Sequence, residues 1–308
     1  MATIKNEQSY KSGYIDVSVD HSLYFELYGN PKGTPVLFLH GGPGAGFSDK
    51  DKVFFNQRRY HVIFFDQRGS SRSKPFGSIK NNTTQDLISD INKILDYLNF
   101  DKVYVFGGSW GSSLALVYAI HHPNRVLGLI LRGIWLANKY GLDHYINGGI
   151  KEFFPDVWER FAKLVPEGEN PVSYYLDKMQ SDNKAEGEKY AYEWARYEMS
   201  FYTINKISDP DEVIKTFSYK SLAILEAYYI KNNCFLQEDF IMKNIEKIEN
   251  IKTSIVHGRY DFICTPAQAF RLHSKLKKSI LNITNAGHSA SDSENKKALI
   301  RELKRITS

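Results

Sequence analysis

The sequence predicts an α/β protein: a mostly parallel sheet flanked by helices and interrupted by a helical insertion. Three observations carry this. Short continuous apolar runs recur at 35–39, 60–65, 103–106, 126–131, 253–257 and 280–283, each ending in glycine, charge or turn residues. Strands buried on both faces of a parallel sheet read this way. Helical periods separate several of these runs, as right-handed βαβ crossovers require. Between about 135 and 245 the strand-like runs stop and only helical periods remain.

Taken in order, residues 14–28 alternate apolar and polar on either side of Asp20-His21-Ser22, which predicts a β-hairpin. Asn30-Pro31-Lys32-Gly33 is a loop. Pro35–Leu39 and Tyr60–Phe65 are buried strands, ending in His40-Gly41-Gly42-Pro43-Gly44 and in Asp66-Gln67-Arg68-Gly69. Thr83 or Thr84 caps a helix whose apolar positions Leu87, Ile88, Ile91, Ile94, Leu95 and Leu98 keep a 3.6 period. Val103–Phe106 is a strand, followed by a turn at Ser109 and an apolar helix that Pro123 ends; Val126–Leu131 is the next strand. Phe153, Trp158, Phe161, Tyr175, Trp194, Tyr197 and other aromatics crowd the insertion. After it come a strand at 253–257, a helix from Pro266 to about Leu276, a strand at 280–283 and a closing helix carrying Leu299, Ile300, Leu303 and Ile306. The expected division is therefore a core of 1–134 and 246–308 with a helical cap of 135–245.

Composition narrows the function classes. The 308 residues suit one large α/β domain with an insertion, and 42% hydrophobic content supplies its core. Forty basic against 35 acidic side chains give a net charge of +5, with the signs interspersed, so neither nucleic acid nor a membrane surface is an expected partner. The two cysteines, Cys234 and Cys264, read as free or buried thiols in a reducing compartment. No metal or organic cofactor is expected. Residues 1–8 lack the apolar stretch of a secretory signal, and no segment approaches the ~18 apolar residues of a membrane helix. A cytoplasmic monomer is the expectation.

The chemistry centres on Gly107-Gly108-Ser109-Trp110-Gly111. A Gly-x-Ser-x-Gly between a strand and a helix places the serine on a sharp turn with its hydroxyl clear of the sheet. Without that context the same residues would read as a helix cap. A serine nucleophile needs a base and a third group that orients the base. Asp261 and His288 each lie just beyond a predicted strand, on the same sheet edge as Ser109, in the order Ser, Asp, His. The oxyanion of an acyl-transfer intermediate needs two donors. The Trp110 N–H is one candidate, and the glycine loop after Leu39, best Gly42, supplies the other. A phosphate-cradling loop is not supported: no Gly-Lys-Ser/Thr ending and no Gly-x-Gly-x-x-Gly after a strand is present.

These motifs together resemble the proline iminopeptidases, serine exopeptidases of the α/β-hydrolase fold. The resemblance rests on His40-Gly-Gly-Pro-Gly44, Asp66-Gln-Arg-Gly69 with Arg72-Ser73, Gly107-Gly-Ser-Trp-Gly-Ser112, Leu131-Arg-Gly-Ile134, His257-Gly-Arg-Tyr-Asp261 and Gly287-His288-Ser289, in the family's order over about residues 35 to 290. It implies peptides or small amides with a free N-terminal proline as substrates. It implies that two cap glutamates hold the amine: Glu198 in Trp194-Ala-Arg-Tyr-Glu198 and Glu226 in Ala223-Ile-Leu-Glu226. A buried ammonium needs compensating carboxylates. It also implies a proline pocket with Trp135 and Tyr145. Ile230 stands where the family usually carries an aromatic, and Ala227-Tyr228 replaces the more usual Asn-His, so a less specific aminopeptidase stays open. So do a carboxylesterase or general acyl hydrolase on the same fold, and a binding protein that keeps it.

Overall fold

The computed structural model describes residues 8–204 and 209–308. The N-terminal stretch read as lacking an apolar leader lies outside these residues apart from Gln8, as do residues 205–208 of the insertion.

The predicted hairpin is β1 (Lys11–Asp16) and β2 (Ser22–Gly29). The buried runs become β3 (Thr34–Leu39), β4 (Tyr60–Phe65), β5 (Val103–Gly108), β6 (Val126–Arg132), β7 (Thr253–Gly258) and β8 (Ser279–Thr284). They form one sheet of eight strands in the order β1-β2-β4-β3-β5-β6-β7-β8. The hairpin is antiparallel to itself and to β4, and every pairing from β4 to β8 is parallel. Register aligns the strand ends: Leu39 lies beside Gly107, Gly107 beside Leu131, and Gly258 beside Thr284. The loops after β3, β5, β6, β7 and β8 therefore leave from one edge, where open α/β sheets place their ligands.

Both faces are covered. On one, α1 (Thr84–Tyr97) and α2 (Trp110–His121) pack with Leu37, Ile63, Val105, Leu129 and Ile255. Thr83 is the cap of α1, in a box in which its hydroxyl accepts from the Asp86 N–H (3.2 Å) while the Asp86 carboxylate accepts from the Thr83 N–H (2.9 Å). On the other face Phe38, Phe64, Phe106, Ile130 and Val256 meet Leu299, Leu303 and Ile306 of the last helix. After β7 come α11 (Pro266–His273), which ends short of the expected Leu276, and, beyond β8, α12 (Ser293–Ile306). In chain order these two follow the insertion's helices.

Between β6 and β7 every described element is helical: α3 (Lys139–Ile146), α4 (Gly149–Phe153), α5 (Pro155–Ala162), α6 (Pro171–Met179), α7 (Lys184–Met199), α8 (Pro210–Ile214), α9 (Tyr219–Lys231) and α10 (Phe240–Lys243), apart from short 3-10 turns. Asn138, Asn170 and Asn183 cap α3, α6 and α7 through their side chains. The aromatic surplus fills this layer: Phe161 stacks on Tyr175 and Tyr197 at ring distances of 4.3 and 4.5 Å, with Trp194 edge-on. The layer is docked on the sheet's loops through α9, where Ser221 Oγ donates to the Gly44 carbonyl (2.8 Å) and Tyr229 Oη to Asn82 Oδ1 (3.0 Å). The short α10 leans instead on α2, its Phe240 stacked on His121.

Candidate active site

Ser109 is the hinge between β5 and α2, with φ 58° and ψ −128°. A non-glycine residue holds such a conformation only when its surroundings impose it. Here the Ser109 N–H donates to the Arg132 carbonyl (2.9 Å), and the flanking glycines let the backbones close. A Cβ on Gly107 would sit 2.2 Å from the Gly111 carbonyl oxygen, and one on Gly111 would sit 2.1 Å from that of Leu39. Ser109 occupies the cap position of α2, yet its side chain makes no capping bond. Ser112 Oγ donates to the Ser109 carbonyl instead (2.7 Å). The hydroxyl is thus left for another task.

Asp261 and His288 come together across 27 residues: the Asp261 Oδ2 and Oδ1 lie 2.8 and 3.0 Å from His288 Nδ1. Asp261 also accepts from the Ile263 and Cys264 N–H groups (3.1 and 2.8 Å), which fixes its carboxylate as a turn rather than as the cap of α11. Burial pushes the Asp261 carboxyl up, but the charges of His288 and His257 and these hydrogen bonds outweigh it and hold it below its ordinary value. It stays ionised, as an orienting group should.

Of the buried histidines, His40, His257 and His288 lie close to this sheet edge, and their bonding separates them. His40 Nε2 accepts from the Gln67 N–H (2.9 Å) and its Nδ1 pairs with the Gly41 carbonyl. His257 Nδ1 accepts from the Ile134 N–H (3.1 Å) and its Nε2 pairs with the Cys264 carbonyl (2.7 Å). Burial lowers the pKa of both. Of these three, only His288 keeps a ring nitrogen, Nε2, with no partner among the described residues; Ser109 Oγ and His288 are not themselves hydrogen-bonded there. His40 and His257 act as braces for the glycine loop and for the turn that carries Asp261.

Gly42 and Trp110, the expected oxyanion donors, line one narrow pocket together with Ser109. Gly42 has φ +103°, and a Cβ there would meet the Gly44 N at 2.7 Å, so glycine is what lets this loop fold back. The Trp110 indole donates to Gln67 Oε1 (3.0 Å), tying the start of α2 to the loop after β4.

The same narrow pocket, only about 20 Å³ in volume, is walled by Trp135, Tyr145, Tyr229, Ile230, Cys234 and Ile263, with Glu226 at its edge. That is room for about one water-sized sphere, so side chains must shift before a proline ring enters. Glu198 on α7 and Glu226 on α9 are both buried. The Trp194 indole donates to Glu226 Oε2 (2.7 Å), and Tyr145 Oη donates to Glu198 Oε2 (3.4 Å). Burial, then the Glu198 charge and hydrogen bond, push Glu226 well above its ordinary value. Among the described residues no cation pairs with either carboxylate. Ser109 also opens onto a second, larger cavity that Glu198 lines.

Sequence reading missed Cys264 and Arg132 as neighbours of this site. The donor atoms of Asp261, Cys264 and His288 lie within 4.8 Å of one another. As a metal cluster this set is unsuited: burial pushes the Cys264 thiol well up, whereas a metal ligand must be a thiolate, and His288 Nδ1 is already engaged by Asp261. Position offered the one available hint, since Cys264 and Arg132 sit in or just beyond segments carrying site motifs.

A strained serine elbow, an Asp–His pair beside it and a glycine loop at the carboxyl edge of a parallel sheet define an α/β hydrolase. A family model described as the α/β hydrolase fold matches residues 34–294. An esterase from Exiguobacterium antarcticum superposes with a TM-score of 0.66, covering 97% of this chain and 100% of its own at 21% identity, a likeness of fold. The proline iminopeptidase of Neisseria meningitidis serogroup A is 41% identical over 308 residues, covering 97% of both chains. That of Arabidopsis thaliana is 38% identical over 296 residues, covering 92% of this chain and 77% of its own. The chain belongs to the proline iminopeptidase family.

Proposed function

We propose that the protein is a serine aminopeptidase releasing N-terminal proline from peptides, with Ser109, His288 and Asp261 as its triad. The observation that carries this beyond a general hydrolase is the Glu198–Glu226 pair: two buried carboxylates near the nucleophile with no cation of their own among the described residues. Such a pair asks for a cationic ligand, and the N-terminal secondary ammonium of a prolyl peptide is one.

Ser109 Oγ attacks the scissile carbonyl as His288 Nε2 takes its proton. Asp261 holds the Nδ1–H and stabilises the imidazolium. The Gly42 and Trp110 N–H groups receive the oxyanion. The imidazolium then protonates the departing amine, leaving a prolyl ester on Ser109. Water, deprotonated by His288, hydrolyses that ester and regenerates the hydroxyl. Trp135, Tyr145 and Ile230 contact the proline ring. The division into a core of 1–134 and 246–308 and a cap of 135–245 fits this scheme, because the cap supplies both glutamates. A monomeric, cytoplasmic protein is part of this proposal, and the two buried free cysteines suit a reducing compartment.

The test is a panel of Pro-, Ala- and N-acetyl-Pro-naphthylamide and a p-nitrophenyl ester. The free prolyl amide should be the best substrate. Acetylation leaves the glutamates without their cation, a loss of about 3 kcal/mol or roughly a hundredfold in kcat/KM. Equal cleavage of free and acetylated substrates would refute the amine site. Ser109→Ala should lower kcat by about 10⁴-fold or more; full retention of activity removes Ser109 from the mechanism.

A further inference from the structure

The larger cavity has a volume of about 1140 Å³. It begins at Ser109 and runs past Gly41 and Gly42, between the turn Ser48–Phe54, the insertion's Lys215–Ser218 and the loop His288–Ser291. Its walls share only Gly42 and Ser109 with the narrow pocket of Trp135, Tyr145 and Ile230. When the proline ring occupies the narrow pocket, the residues after the scissile bond are left with the larger cavity.

Arg132, the last residue of β6, lines that cavity and is 8% exposed. Its Nη1 donates to the His288 carbonyl (2.7 Å). A Cβ on Gly108 would meet its Nη2 at 2.5 Å and its Nε at 2.8 Å, so the guanidinium lies against the backbone one residue before the nucleophile. A guanidinium carries five N–H donors and is normally matched by a carboxylate when buried. Among the described residues none lies within ion-pair distance of Arg132. The carboxylates on the cavity wall have other contacts: Glu26 with Lys52 (2.8 Å) and Arg72 (3.4 Å), Asp49 with Lys52 (2.6 Å), Glu198 with the Tyr145 hydroxyl (3.4 Å), and Asp51 with the Ser48 N–H (2.8 Å), so that Asp51 meets the Arg132 charge through space and not in contact. Lys296 lines the same cavity.

Among the described residues the site thus holds a carboxylate pair with no cation in contact and a guanidinium with no carboxylate in contact, with Ser109 adjoining both cavities. We propose that Arg132 docks the free C-terminal carboxylate of a short peptide, so that the site recognises its substrate as a zwitterion. This rests on the prolyl aminopeptidase reading for the direction in which the substrate lies. The planar fork of the guanidinium suits a carboxylate. In a dipeptide the carboxylate follows the scissile carbonyl by one residue, and each further residue carries it up to about 3.5 Å onward. Dipeptides and tripeptides keep it near Arg132, and longer chains carry it past.

The test compares kcat/KM for Pro-Gly, Pro-Gly-NH2, Pro-Gly-Gly, Pro-Gly-Gly-NH2 and Pro-naphthylamide, with the unaltered protein, Arg132→Lys and Arg132→Met. The unaltered protein should prefer the better free acid over its amide by about tenfold or more, chiefly through KM. Arg132→Lys should keep part of that ratio, and Arg132→Met should bring it near one. The ratio is internal to each protein, so a general loss of activity from disturbing the His288 loop does not imitate the result. Equal turnover of acid and amide by the unaltered protein overturns the carboxylate site while Pro-naphthylamide cleavage leaves the aminopeptidase reading standing. No turnover of any prolyl substrate overturns that reading instead. An Arg132→Met protein that keeps the full preference also overturns the proposal.

Discussion

Glu226 is where the cost of the site is concentrated. Two carboxyls meet in a buried setting whose other titratable neighbours, Tyr145, Tyr197, Tyr202, Cys234 and Cys264, are neutral and give no positive charge. Burial and the neighbouring Glu198 charge therefore favour the protonated form of Glu226 in the free protein. Because the folded value of Glu226 is raised, its contribution to stability is full below the ordinary carboxylate range and is lost as pH rises through the raised value. Glu226→Gln removes the conflict. At neutral pH it should gain about 1 kcal/mol, or roughly 2–4 °C in melting temperature, while losing about a hundredfold in kcat/KM on Pro-naphthylamide. Calorimetry and kinetics on the same preparation decide this; a variant that is less stable and fully active has no amine site at Glu226. The same proton gives KM a pH dependence. A substrate ammonium must displace it, so KM should rise as pH falls through the raised Glu226 value, and a KM that stays flat as pH is lowered from neutrality to the ordinary carboxylate range speaks against a proton held at Glu226. Neither glutamate has a periodic signature in the chain. Both were legible only through their family segments, because what makes them special is burial beside each other, a contact between two helices far apart in sequence.

The elbow shows which signals survive in a linear sequence at the scale of an element. Buried strands announce themselves because both faces need apolar side chains, and all the central strands were readable for that reason. β5 nevertheless runs on to Gly108 beyond the expected Phe106, since glycines extend a strand without adding apolar character. Those glycines are where the element is most constrained. Gly111→Ala would drive a methyl into the Leu39 carbonyl, a backbone atom that cannot swing aside. Separating β3 from the start of α2 should cost about 3 kcal/mol, seen as a lower urea midpoint at unchanged m-value. Because the displaced helix start carries Trp110, activity should fall with it. A Gly111→Ala protein of unaltered midpoint would mean that the elbow tolerates a wider spacing than its contacts allow.

At the scale of the whole molecule the helical nature of 135–245 was legible, but its seat on the core was not. The bond from Ser221 to Gly44 spans 177 residues and leaves no pattern in composition or period. Ser221 Oγ donates to the Gly44 carbonyl, lies within 3.0 Å of the Ser218 carbonyl and accepts from the Ser71 N–H (3.2 Å), joining α9 to the loops after β3 and β4 at once. A Cβ on Gly44 would stand 2.3 Å from the Ser221 carbonyl oxygen, so the glycine loop and α9 approach as closely as backbones allow. Moving α9 therefore moves both the glutamate it carries and the loop expected to hold the oxyanion. Ser221→Ala strips partners from one buried and one partly buried backbone group and should cost about 1–3 kcal/mol. With the Gly42 donor displaced, kcat should fall by about tenfold, a fraction of the loss expected when an oxyanion donor is removed outright. Coupling this close also predicts one cooperative unfolding transition, with tryptophan fluorescence, reporting on Trp110 in the core and Trp135, Trp158 and Trp194 in the insertion, coinciding with far-UV circular dichroism. If the insertion melts first, and Ser221→Ala leaves kcat untouched, the helical layer is a lid resting on the core and the amine site can form or vanish without disturbing the chemistry beneath it.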